Sequence, residues 1–120
     1  MIKLTFALVR LPHLSRAEFQ RYWFETHAPL VASVKDVLRI RRYVQLHSLS
    51  PDISAPLRQA RGGPEGFDGV AQLWWDSFDD LATDDPKAAE AGRLLLEDER
   101  RFIDLPKSPL WWGEEKVIFG

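Results

Sequence analysis

The sequence predicts an α+β fold: a four-stranded antiparallel sheet with two helices on one face, in the chain order β-α-β-β-α-β of a ferredoxin-like domain. Three observations carry this. Stretches of strand character occur at 2–9, 39–48, 68–76 and 110–119. Two stretches with helical period, beginning at Ser15 and at Asp85, separate the first strand from the second and the third from the fourth. One right-handed crossover in each half then places both helices on the same side of one sheet.

The first strand alternates Ile2, Leu4, Phe6 and Leu8 with Lys3, Thr5, Ala7 and Val9. Pro12 marks the turn into the first helix. Ser15 and Glu18 have the spacing of a capping box, and Leu14 and Phe19 that of a hydrophobic staple. Large residues recur at Phe19, Tyr22, Trp23, Thr26, His27, Leu30, Val31 and Val34, a stripe that lies on a core, and the helix is expected to run to about Lys35. His27 stands where a Leu would serve packing better, and Pro29 follows inside the pattern. A proline there cannot donate to the carbonyl of Glu25, so the helix should bend beside His27. An inward imidazole, aromatic neighbours and a bent helix together suggest a small polar spot in an apolar place.

The second strand, 39–48, carries Arg41, Tyr43, Gln45 and His47 on one face, a polar-aromatic set that reads as a pocket wall or a wet edge. Residues 50–66 are rich in Pro, Gly and Ser without an apolar period, and are expected to form a loop, a mobile flap near a ligand mouth. After the third strand, Phe78, Leu81 and Ala82 suggest a short helical turn. Asp84 or Asp85 then caps the second long helix, with Pro86 at its first position. Its apolar face is read as Ala88, Ala91, Gly92, Leu95, Leu96, Phe102 and Ile103.

At 120 residues, 45% hydrophobic and 28% charged, the chain reads as one soluble domain over 1–120. It has no cysteine, which excludes a disulfide scaffold, a thiolate metal site and a Cys nucleophile. The three histidines, His13, His27 and His47, show no metal-ligand spacing, so no metal is expected. No run approaches a membrane span, no cleavable leader is read, and a cytoplasmic location is expected. The net charge is −2, and the basic cluster Arg39, Arg41 and Arg42 is too narrow for a nucleic-acid footprint. Adjacent tryptophans, Trp74–Trp75 and Trp111–Trp112, must face opposite sides of a strand, so one of each pair should lie on the sheet face without helices. A homodimer packed sheet against sheet would cover them.

The segment SRAEFQRYWFETHAPLV resembles the signature of the EthD-like family, a branch of the dimeric α+β barrels, through Ser15, Glu18, Phe19, Tyr22, Trp23, His27, Ala28, Pro29 and Leu30. Arg41–His47 and the stretch 98–104, DERRFID, are similar to two further family segments. The resemblance implies a barrel dimer with a ligand pocket between sheet and helices, and a cofactor-independent enzyme acting on a small aromatic or cyclic, polyketide- or lactone-like, substrate. On that reading His27 is the acid–base group, for decarboxylation, dehydration, isomerisation or oxygenation. Tyr22, Tyr43 and His47 orient substrate oxygens, and Trp23, Phe24 and Trp74 form apolar walls. The alternatives are a small-molecule binder or accessory protein without turnover, and a haem protein ligated through His27 or His47.

Overall fold

The computed structural model describes residues 1–120 as a single four-stranded antiparallel sheet in the order β2-β3-β1-β4. The strands are β1 (Ile2–Leu8), β2 (Arg42–His47), β3 (Gly69–Trp75) and β4 (Leu110–Gly113). The helices are α1 (Arg16–Tyr22), α2 (Ala28–Ser33), α3 (Pro51–Gln59) and α4 (Pro86–Glu99). The ferredoxin-like order read from the sequence is the observed one, with α3 as an addition. No helix is long and apolar enough to cross a membrane.

The capping box forms as its spacing requires. Glu18 N–H donates to Ser15 Oγ at 3.1 Å, and Ser15 N–H donates to the Glu18 carboxylate at 2.9 Å. Between α1 and α2 the chain does not break. It widens into one π-helical turn, Trp23–His27, in which Ala28 N–H bonds to the Trp23 carbonyl five residues back. Pro29 supplies the cause, because it has no N–H for the carbonyl of Glu25 and its ring excludes an ordinary turn there. The wide turn directs both Trp23 and His27 inward, where they are 1% and 5% exposed.

Register assigns the two sheet faces. Ile2, Leu4, Phe6 and Leu8 pair with Trp75, Leu73, Ala71 and Gly69, and Tyr43, Gln45 and His47 continue the same face across β2. The core forms there from Phe6, Leu8, Phe19, Trp23, Ala71, Phe102 and Ile103. Asp68, just before β3, ties this assembly together. It accepts from Arg10 N–H at 2.8 Å, from the Arg10 guanidinium at 2.7 Å and from Arg16 at 3.0 Å. Burial alone would raise its pKa, but these donors hold the carboxyl below its usual range.

Three expectations change. Residues 50–66 are not a structureless flap. Pro51 starts α3 at its first position, where a missing N–H costs nothing, and Pro56 removes only the bond to Asp52. The last strand ends at Gly113 rather than 119. Glu115 leaves the ladder and folds over the helix-free face, where it accepts from Trp74 Nε1 and lies 3.8 Å from Lys3 Nζ. The inner face of α4 is Ala88, Ala91, Leu95, Asp98 and Glu99; Leu96 and Gly92 are exposed.

The tryptophan pairs do alternate. Trp75 and Trp112 meet edge to face on the helix side, with ring centroids 5.4 Å apart, and Trp74 and Trp111 lie on the other. Trp74 is nevertheless 6% exposed, because Lys3 and Arg42 each sit 4.8 Å from its ring centroid and Glu115 caps its indole.

Gly69 has a packing reason. A Cβ there would lie 2.4 Å from the Trp23 ring and 2.9 Å from the Leu46 carbonyl oxygen. Gly69→Ala is therefore expected to destabilise the fold by ~1–3 kcal/mol, the range for overpacking a closed core. Urea denaturation at matched m-value checks this; an unchanged midpoint would show that Trp23 does not press on β3.

Candidate active site

The widened turn and the last turn of α4 meet over the sheet. His27 Nδ1 lies 2.7 Å from Asp98 Oδ2, and the Tyr22 hydroxyl donates to Asp98 Oδ1 at 2.6 Å. An ionised carboxylate only accepts, so the proton of neutral His27 sits on Nδ1 and Nε2 is left as a base. Burial lowers the His27 pKa, while the hydrogen bond and charge of Asp98 pull the other way. The imidazole is thus held neutral at pH 7, with a carboxylate behind it to stabilise the cation once formed. Phe102 packs against both partners, its ring centroid 5.0 Å from those of Tyr22 and His27.

His27 borders a cavity of about 170 Å³ between the sheet and the helices. Its walls include Leu4, Val31, Leu73, Trp75, Leu95 and Ile103, and its titratable groups are His27, Glu99 and the Tyr43 hydroxyl. A dry cavity of ~150 Å³ accommodates a benzene ring, so this one suits a ligand with a single ring. A tetrapyrrole is larger than this cavity.

Glu99 is the unusual group. Its side chain makes no hydrogen bond or ion pair. Burial, then the neighbouring charge of Asp98, raise its pKa to about 7, with Arg100 opposing. Two adjacent acids on one helix end thus behave differently: Asp98 is partnered by Tyr22 and His27, and Glu99 faces apolar walls. A carboxyl half-protonated at neutral pH that borders the same cavity as a neutral imidazole supplies an acid to match that base, the kind of perturbed groups that clefts often mark.

Of the residues singled out from the sequence, His27, Trp23 and Tyr43 border this cavity. Tyr22 is behind it, holding Asp98. His47 is displaced from it, stacked on the Trp23 indole with centroids 4.5 Å apart. Phe24 is 65% exposed and meets His47 edge to face, outside the cavity. Trp74 faces the opposite side of the sheet, and Trp75 takes the wall position expected of it; the alternation at 74–75 was legible but its phase was not. Glu99 was missed altogether. Its only signal was its place within the 98–104 segment, one residue past a carboxylate with two partners. A larger opening of about 280 Å³ beside α3 involves Arg16, His47, Arg58 and Glu65, but Arg16 is already committed to Asp68.

The raised Glu99 pKa has a stability consequence. Between about 4.5 and about 7 the folded protein holds a proton that the unfolded chain has released, so stability falls as pH rises through that window. Relative to Glu99→Gln, the native protein is expected to lose on the order of 2–3 kcal/mol between pH 4.5 and pH 8. Denaturation of both proteins across this range measures the difference in slope; parallel curves would place the Glu99 carboxyl in water.

Residues 11–106 match the EthD domain family. The chain is 28% identical over 120 residues to the conidial pigment biosynthesis dehydratase EthD of Metarhizium robertsii, covering 94% of this chain and 81% of that protein. Among solved structures, an EthD family protein of Bacillus halodurans superposes with a TM-score of 0.60 at 20% identity, covering 97% of this chain and 100% of the other. A dimeric protein of ferredoxin-like fold from Bacteroides fragilis gives 0.58 at 11% identity, over 95% of both chains. A protein of Arabidopsis thaliana gives 0.59 at 11%, over 99% of both. With four-fifths of its length inside the family match and the same sheet and helix arrangement in these structures, the chain belongs to the EthD domain family.

Proposed function

We propose that this protein is a metal-independent dehydratase-type lyase acting on a one-ring compound that carries a hydroxyl β to a carbonyl. The observation that carries the reading is the convergence of the His27–Asp98 pair and the unpartnered Glu99 on one small apolar cavity. The dehydratase name of the Metarhizium relative supports the choice of elimination among the acid–base reactions this pair could serve.

In this mechanism His27 Nε2 takes the proton on the carbon α to the carbonyl. The C–H electron pair becomes the new C=C bond, the C–O bond breaks, and the protonated Glu99 carboxyl gives its proton to the departing hydroxyl, which leaves as water. Asp98 stabilises the imidazolium across its 2.7 Å hydrogen bond. Proton return from His27 to Glu99 restores the starting state. The apolar walls strengthen both electrostatic effects by excluding bulk water.

The pH profile is set by the two groups. The base must be neutral, and the His27 pKa lies below its usual 6.5; the acid must be protonated, and Glu99 titrates at about 7. With a cyclic β-hydroxy ketone as substrate and enone absorbance as readout, kcat/KM should form a bell that falls above about pH 7. His27→Gln should lower it by ~10²–10⁴-fold. Turnover in His27→Gln equal to that of the native enzyme would sink the proposal.

We further propose a homodimer packed through the helix-free sheet faces, a reading supported by the dimeric Bacteroides neighbour. Leu46 and Trp111, 54% and 53% exposed, are the apolar groups left open there. Light scattering should give twice 13.8 kDa, and Trp111→Glu should shift the protein to monomer; a native mass of one chain at high concentration would refute this.

A further inference from the structure

Three side chains on the helix-facing side of β2 form a hydrogen-bonded row that the elimination above does not use. Gln45 lies at its centre. Its Nε2 donates to the Trp23 carbonyl at 3.0 Å and to the Tyr43 hydroxyl oxygen at 2.8 Å, and its Oε1 lies 2.7 Å from His47 Nε2.

The directions in this row are fixed by one group. The Trp23 carbonyl is a backbone acceptor with no proton to give. The amide end of Gln45 must therefore be its NH₂, since the reverse orientation would set two acceptors against each other. With both amide protons committed, Oε1 faces His47, whose Nε2 must carry a proton. The Tyr43 oxygen then receives a donor, and its own proton goes to no protein group. Tyr43 borders the cavity that also contains Glu99 and His27. Burial first, and the charge of Glu99 in addition, raise the hydroxyl pKa, against donors from Gln45 and Trp23, so it stays protonated.

We infer that Gln45 positions Tyr43 as a hydrogen-bond donor into the cavity, so that the ligand presents an acceptor oxygen, a carbonyl or an enolate, to Tyr43. For the elimination this names the group that holds the carbonyl while His27 takes the neighbouring proton, and to that extent the inference rests on the proposed function. Removing the α-proton builds negative charge on that oxygen, so a donor fixed there beforehand favours the transition state over the ground state. Gln45 is a positioning residue, because it reaches the ligand only through Tyr43. His47 contributes by holding the Gln45 amide, which accounts for a histidine stacked on Trp23 and displaced from the cavity.

The test uses acetophenone as the probe, a one-ring ketone without a β-hydroxyl, and reads the carbonyl stretch of the bound molecule by isotope-edited infrared difference. In the native protein the stretch should lie at lower frequency than in hexane. Acetophenone should also bind about three- to tenfold more tightly, relative to ethylbenzene, than it does in Tyr43→Phe, the ratio for one neutral hydrogen bond. Tyr43→Phe should return the stretch to its hexane value. Gln45→Glu keeps the volume but turns the donor into an acceptor. It should draw the Tyr43 proton away from the ligand and shift the stretch in the same direction, whereas a packing role alone would leave it unmoved. If Gln45→Glu fails to fold, Tyr43→Phe and the acetophenone-to-ethylbenzene ratio decide the inference by themselves. Failure of acetophenone to bind, or a stretch insensitive to Tyr43→Phe, would overturn the inference. A red-shifted stretch in a protein that dehydrates nothing would leave it standing and dismiss the lyase reading.

Discussion

One missing N–H organises the centre of this molecule. Pro29 cannot bond to the carbonyl of Glu25, and the helix answers by widening over Trp23–His27 rather than breaking. Such a turn advances the chain by an extra residue and rotates α1 relative to α2. Three consequences meet there. The Trp23 ring comes down on Gly69, His27 turns toward α4, and the Trp23 carbonyl accepts both Ala28 N–H and Gln45. An ordinary helix through the same residues would place its successive turns at a different angle over β2, β3 and α4, and the row Tyr43–Gln45–His47 would lose the acceptor that sets its direction.

The end of α4 supplies the electrostatic counterpart. Helix C-termini disfavour negative charge, yet Asp98 and Glu99 stand side by side there. Asp98 is stabilised by the Tyr22 hydroxyl and by His27. Glu99 has no comparable partner and accommodates itself by holding its proton to about pH 7. The arrangement costs stability above that pH and yields a carboxyl able to act as an acid in neutral solution, a common exchange at functional sites. The small cavity results from the same packing: aromatic bulk from Trp23, Phe102 and Trp75 closes most of the space between the layers and leaves room for one ring.

The opposite sheet face behaves differently from a simple apolar patch. Lys3 and Arg42 lie over Trp74, and Glu115 accepts a hydrogen bond from its indole N–H. These amphipathic side chains spread their stems over the ring and keep their charges in water. The open apolar area is thereby confined to Leu46, Trp111 and their surroundings. This also accounts for the short β4, since Glu115 is drawn out of the strand line toward Lys3 and Trp74.

Local chemistry determined a good part of this in the sequence. The period-two strands, the Ser15–Glu18 capping box, the Asp85 cap with Pro86 behind it, and the anomaly of His27 near Pro29 all act within a few residues, so they are legible one turn at a time. The element order then left few topologies. What depended on distant parts of the chain was not legible. Whether Trp74 or Trp75 faces the helices is a question of phase, settled by β1 on one side and β2 on the other. Whether 51–59 is helix or loop turned on Pro51 serving as a start rather than a break. Above all, Asp98 and Glu99 are adjacent acids on one helix end, and nothing local separates them. Their difference arises when Tyr22 and His27, 76 and 71 residues away, reach one and leave the other against apolar walls; pKa is a property of surroundings, and the surroundings exist only once the chain has folded.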